Sequence, residues 1–148
     1  MDGKLKDEPI PPHHHVSRYC RGGSLLKNGE VTGTSFFLRD DEEYLSVNWL
    51  DFLELDDRDS EIKEIRRVLG TKLKVGSTAK IAVLNVGDTQ DHVHQNSRDH
   101  RDLMILHRPD EPPDKPDESH SGIFDTKEDE QLIAELIAEK VIETYAAK

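Results

Sequence analysis

"AKIAVLNVG", residues 79–87, decides the fold class. It is apolar except at Lys80 and Asn85, β-branched at Ile81, Val83 and Val86, and closed by Gly87. A run this short and this continuous suits a strand covered on both faces. Upstream, "SEIKEIRRVLG" (60–70) reads as a helix: Ser60 is a candidate N-cap, Ile62, Ile65 and Leu69 share a face, and Gly70 fits the C-terminal cap. Before it, in "NWLDFLELDD" (48–57), Asn48 can cap a short helix, with Asp51 three positions on. "GTSFFLRDDEEYLSV" (33–47) gives two β-type runs, Ser35–Arg39 and Tyr44–Val47, with acids between them suited to a hairpin turn. "HVSRYC" (15–20) alternates like a strand.

Downstream, "DTQDHVHQNSRDHRD" (88–102) is polar enough to read as a loop or frayed helix. "DLMILHRP" (102–109) predicts a strand stopped by Pro109. Residues 108–122, "RPDEPPDKPDESHSG", hold four of the seven prolines among acids and read as an extended surface segment, with 109–119 the most mobile internal stretch. The remaining "DTKEDEQLIAELIAEKVIETYAAK" (125–148) predicts one long amphipathic helix. Thr126 and Asp129 form a capping pair, and Leu132, Ile133, Leu136, Ile137 and Val141 make its apolar stripe. The expected fold is α+β: a small, at least partly antiparallel sheet covered by two or three helices, including the C-terminal one.

The chain has 148 residues, enough for one core without disulfides or a structural metal. Hydrophobic residues make up only 34%, so the core is expected where they cluster, between Val16 and Leu106 and between Leu132 and Val141. The chain is expected to divide into a flexible lead-in (1–12) and a single domain (13–148). No stretch approaches ~20 consecutive apolar residues, the start lacks an apolar signal core, and a lone cysteine makes no disulfide framework. The expected setting is the cytosol, without membrane contact. A formal charge of −11 opposes general binding to nucleic acid.

Candidate chemistry gathers in "PPHHHVSRYCRGG" (11–23). A thiolate nucleophile needs a nearby cation and a base, which Arg18, Arg21 and His15 could supply to Cys20, with His107 and His120 reaching it through the fold. Arg18, Arg21, Ser119 and Ser121 are candidate binding residues. On a strand, His92 and His94 would face one side and could share an ion, but no zinc-finger or HExxH spacing is present, and neither a resident metal nor another cofactor is expected. "HVSR" matches half of the paired His-x-Ser/Thr motif of 2H phosphoesterases, and the second copy is missing. Ten carboxylates against one arginine in Asp40–Glu61 allow a nucleic-acid mimic as a third possibility.

The series "HVSRYC … FFLR … EYLSVNWLDFL … AVLNVG … SHSGI" resembles a set of small uncharacterised bacterial proteins across Val16–Ile123. That resemblance implies a bacterial cytosolic protein and transfers no activity. The leading expectation is an acidic accessory protein, a subunit or partner of a larger bacterial assembly, that meets a protein partner or its own copy through Leu132, Leu136, Ile137 and Val141. The alternative is a hydrolase or transferase using Cys20 with His15, His107 or His120. Whether the chain is an enzyme is left open by its sequence.

Overall fold

A computed structural model describes residues 8–39, 41–109 and 117–148. Six strands form one sheet: β1 (His15–Cys20), β2 (Leu45–Trp49), β3 (Lys80–Asn85), β4 (Met104–His107), β5 (His120–Phe124) and β6 (Val141–Ala146). Their order is β4-β5-β2-β1-β3-β6, and every neighbouring pair is antiparallel. The helices are α1 (Arg58–Lys72), α2 (Val86–Asn96) and α3 (Glu130–Ala138). The fold is α+β.

β3 is covered on both faces, as its unbroken apolar run requires. Ile81 and Val83 pack with Ile62, Ile65 and Leu69 of α1. Leu84 belongs to the opposite core, with Val16, Val47 and Trp49 beneath Val93 of α2 and Ile133 and Ile137 of α3. α2 follows β3 directly because the Asn85 side chain accepts from the Asp88 backbone N–H (2.8 Å) and caps the helix. Gly87 has no substitute here. Its N–H donates to the Pro12 carbonyl at 2.9 Å, and a Cβ on it would lie 2.9 Å from the same oxygen.

Several local expectations give way to tertiary context. α1 starts earlier than Ser60, because Asp57 accepts from the Ser60 N–H (2.8 Å), and it runs through Gly70 to Lys72. The Ser35–Arg39 run is not a hairpin strand. Gly33–Phe36 is a single 3-10 turn, and Phe36 is buried against the α3 side of the sheet. Asn48 caps no helix; it lies in β2. The polar 88–102 stretch is helical through Asn96. The long C-terminal helix ends at Ala138, and Val141–Ala146 turns back as β6 along β3. Its Val-Ile-x-Thr-Tyr content favours a pleated surface, and β3 supplies the ladder. Thr126 makes no capping bond; its buried hydroxyl has no partner among the described residues.

The expected surface segment 108–122 is corrected from Asp117 onward. Residues 110–116 lie outside the described residues, and with them most of the 109–119 stretch expected to be mobile. From residue 117 the chain is interior: Asp117, Ser119 and Ser121 are buried, and β5 sits between β4 and β2. Small residues suit that position, since a Cβ on Gly122 would fall 2.3 Å from the Tyr44 ring. In the lead-in, residues 1–7 lie outside the described residues, but residues 8–10 dock. Ile10 is buried and its N–H donates to the Ile105 carbonyl (3.0 Å), while the His107 N–H donates to the Glu8 carbonyl (2.9 Å), so this segment covers the outer edge of β4. Among the described residues, no helix is long and apolar enough to cross a membrane.

Candidate functional site

β1 and β2 pair over only two registers, Val16 with Trp49 and Ser17 with Asn48. Beyond them β1 continues to Cys20 paired with β3 alone, and β2 runs back to Leu45 paired with β5 alone. The strands therefore part, and Arg18 fills the parting. Its Nε donates to the Ser35 carbonyl and its Nη1 to the Ser46 carbonyl, both at 2.9 Å. Two bonds to fixed backbone hold the guanidinium still. Burial lowers its pKa from the ordinary value, with Cys20 and Glu42 pulling the other way, but an arginine keeps its charge.

Above Arg18 opens a cleft of ≈ 350 Å³. Its lining includes Arg21, Thr34, Phe37 and Arg39 around the 3-10 turn, Leu69, Lys72 and Leu73 at the end of α1, and Asn48 and His120 on the sheet. Among the described lining residues one, Glu42, is acidic, and its carboxylate already accepts from the Arg39 N–H (2.8 Å). Arg18 makes no ion pair among the described residues, so the cleft is locally cationic in a chain of charge −11.

Lys72 joins the cleft lining to a buried polar network. Asp117 accepts from Lys72 Nζ (2.8 Å), from Asn48 Nδ2 on both oxygens (3.0 Å each) and from Ser119 Oγ (3.1 Å). Burial pushes the Asp117 carboxyl up, but the bonds from Lys72 and Asn48 outweigh it and hold the group below its ordinary range. At the cleft's end, His120 Nδ1 meets the Arg108 carbonyl at 2.8 Å. A carbonyl only accepts, so Nδ1 carries the proton, and Nε2 is the acceptor nitrogen of the neutral ring.

The thiol expectation fails on its own chemistry. Cys20 is 1% exposed, and its sulfur bonds to the Arg18 carbonyl at 3.5 Å. Burial pushes its pKa up, against smaller effects of Ser35 and Arg18. A protonated, enclosed thiol is a core side chain. The histidines do not converge on it. His107 is buried beside the Trp49 and Phe52 rings, with Nε2 on the Glu118 carbonyl (2.7 Å). His15 and His120 fall on one face of the sheet but two strands apart, since Asn48 separates Ser17 from His120 in register.

Of the remaining candidates, Arg18 and Arg21 do line the cleft. Ser119 and Ser121 are buried and internally bonded, Ser121 Oγ to the Ser119 carbonyl at 3.0 Å. His92 and His94 lie on α2, where two-residue spacing sends them apart: His92 meets Glu139 (2.7 Å) and His94 meets Asp102 (2.8 Å). Among the described residues no cluster could hold a metal ion. Leu136 and Ile137 belong to the chain's own core, with Leu132 and Val141 packed against it, so the stripe offered to a partner is already covered. Of the acids expected in the Asp40–Glu61 row, Asp40 lies outside the described residues, Asp41, Glu43, Glu54, Asp56 and Asp59 are exposed, and others are engaged within the fold. Asp51 accepts from the His15 N–H, Asp57 caps α1 and Glu61 pairs with Arg58.

Arg39, Lys72, Phe37 and Asp117 were not legible as site residues. For Arg18 a signal existed: strand alternation places it on the same side as Val16 and Cys20, both apolar and inward. No protein-family model matches the chain, and neither a curated protein nor a solved structure does.

Proposed function

We propose that this protein is a small binding module that captures an anionic group, phosphate above all, in the cleft where β1 and β2 part. Arg18 carries the reading. A guanidinium has five N–H donors in a planar fork. Two are committed to Ser35 and Ser46, and Nη2 bonds to nothing else among the described residues. An anion meeting that edge finds a donor already oriented, so little ordering entropy is lost on binding. Arg21 and Arg39, both exposed at the rim, add charge. A carboxylate-bearing ligand uses the same fork less fully. In this reading the accessory role expected of the chain is exercised on a small molecule, and protein contact comes second.

The test is a titration of inorganic phosphate and methyl phosphate, followed by backbone amide chemical shifts. Saturable shifts at Arg18, Ser46 and Thr34 are expected. The double variant Arg21→Ser/Arg39→Ser alters only exposed side chains and should weaken binding at least about tenfold, as expected when charge-assisted contacts are removed. No saturable shift, or unchanged affinity in the double variant, overturns the proposal.

A second reading concerns protein contact. β6 ends the sheet, and Ile142 on it is 50% exposed. An outer strand presents unpaired backbone groups on which another strand can add. We place any self-association of this chain there rather than on α3.

A further inference from the structure

Resting on the anion-binding role proposed above, we infer that the ligand is a soluble phosphate monoester whose phosphate meets Arg18 and whose apolar, ring-sized body lies between Phe37 and Leu73. The two side chains reach the cleft from different elements. Phe37 directly follows the 3-10 turn Gly33–Phe36, and Leu73 directly follows α1, one turn beyond Leu69. They remain 37% and 43% exposed. Isolated exposed hydrophobics need no explanation, but these two line one concavity. Leu38 and Leu69 also line it, so the cleft offers carbon to a ligand as well as the donors of its arginines.

Inorganic phosphate alone would leave Phe37 and Leu73 in water. A polyhydroxylated body, such as a sugar, would lose water hydrogen bonds against that wall without replacing them. An apolar ring removes both penalties. The volume of ≈ 350 Å³ is near the lower end of ligand pockets (roughly 300–1,000 Å³), which suits a phosphate with one ring rather than a long acyl chain. A phosphorylated lipid presents the same chemistry in a bilayer. A chain of charge −11 is repelled by an anionic surface, and that favours the soluble source.

The experiment compares phenyl phosphate, methyl phosphate and inorganic phosphate on the full chain, with phosphatidic acid vesicles as a further arm. Phenyl phosphate should bind at least about tenfold more tightly than methyl phosphate, the gain expected from enclosing a ring against apolar side chains. The double variant Phe37→Ser/Leu73→Ser should bring the affinity for phenyl phosphate down to that for methyl phosphate. Equal binding of the two esters, or an advantage that survives the double variant, overturns the apolar-body inference while the anion site stands. Co-sedimentation with vesicles without a response to phenyl phosphate overturns the soluble source. If no phosphate compound binds, the anion site itself is refuted, and the inference with it.

Discussion

Replacing Asp117 by alanine should be among the most damaging single changes in the molecule. Its carboxylate is almost fully enclosed and accepts from Lys72, Asn48 and Ser119 side chains. Truncation leaves the Asn48 amide, itself 7% exposed, with Ser119 Oγ (2.9 Å) as its remaining side-chain acceptor, and removes this partner from Lys72, which retains 19% side-chain exposure. Breaking a buried ion pair costs about 3–5 kcal/mol, and the partial solvation of Lys72 places the loss near the lower bound, about 3 kcal/mol. With a urea m-value of about 2 kcal/mol/M, the midpoint should fall by roughly 1.5 M. The pH dependence gives a sharper check. The folded pKa of Asp117 lies below its ordinary value, so the unfolded chain takes up the proton first as pH falls. The stabilisation is complete well above the unfolded value of about 3.9 and fades as pH drops through the folded pKa. Urea melts at pH 7 and pH 3 should therefore show wild type clearly above Asp117→Asn at neutral pH, with the gap narrowing in acid. A loss below about 1 kcal/mol for Asp117→Ala at pH 7 refutes the reasoning, as does a pH-independent gap for Asp117→Asn.

Cys20 should resist thiol reagents in the folded protein and react fully in denaturant; stoichiometric labelling of the native state within seconds would contradict its burial. If β6 is the self-association edge, Ile142→Lys should abolish any dimer seen by analytical ultracentrifugation while leaving the melting temperature nearly unchanged. A dimer that survives the change lies elsewhere.

What could be read from the chain was what local pattern determines. β3 announced itself by an apolar run with no polar interruption between Ile81 and Leu84, and α1 by a stripe at helical spacing, although the helix runs past the expected Gly70 cap to Lys72. The failures have a common cause. β5, "HSGIF", is an interior strand built of small and polar residues, because Tyr44 lies across Gly122 and Ser121 bonds inside its own strand's lead-in. Nothing in its composition signals burial. α3 and β6 succeed one another without glycine or proline between them, so the apolar stripe of the helix ran on in sequence to Val141. The available sign was the change from Leu-Ile-Ala to Val-Ile-x-Thr-Tyr, which the pairing of β6 with β3 makes decisive.

The site was half legible for a physical reason. "HVSRYC" draws attention to a thiol, but alternation places Val16, Arg18 and Cys20 on one inward side, and two of the three belong there as apolar groups. The arginine is the residue that needs an account. A chain with 31 acidic residues could have answered an inward guanidinium with a carboxylate and cancelled its charge. Instead the fold gives it two carbonyls, one on the 3-10 turn and one on β2, in a gap that exists because β1 and β2 stop pairing after Ser17. Carbonyl dipoles satisfy the hydrogen bonds and orient the group without neutralising it. A positive charge that is fixed, on the cleft lining and without an ion pair among the described residues favours an anion at its open edge more than one freely hydrated on the surface, since orientation is already in place and the walls exclude part of the water. The absent ladder between two strands thus forms the site. Because β2 takes its other partner from as far along the chain as Leu45 is from Ile123, no local window could have revealed it.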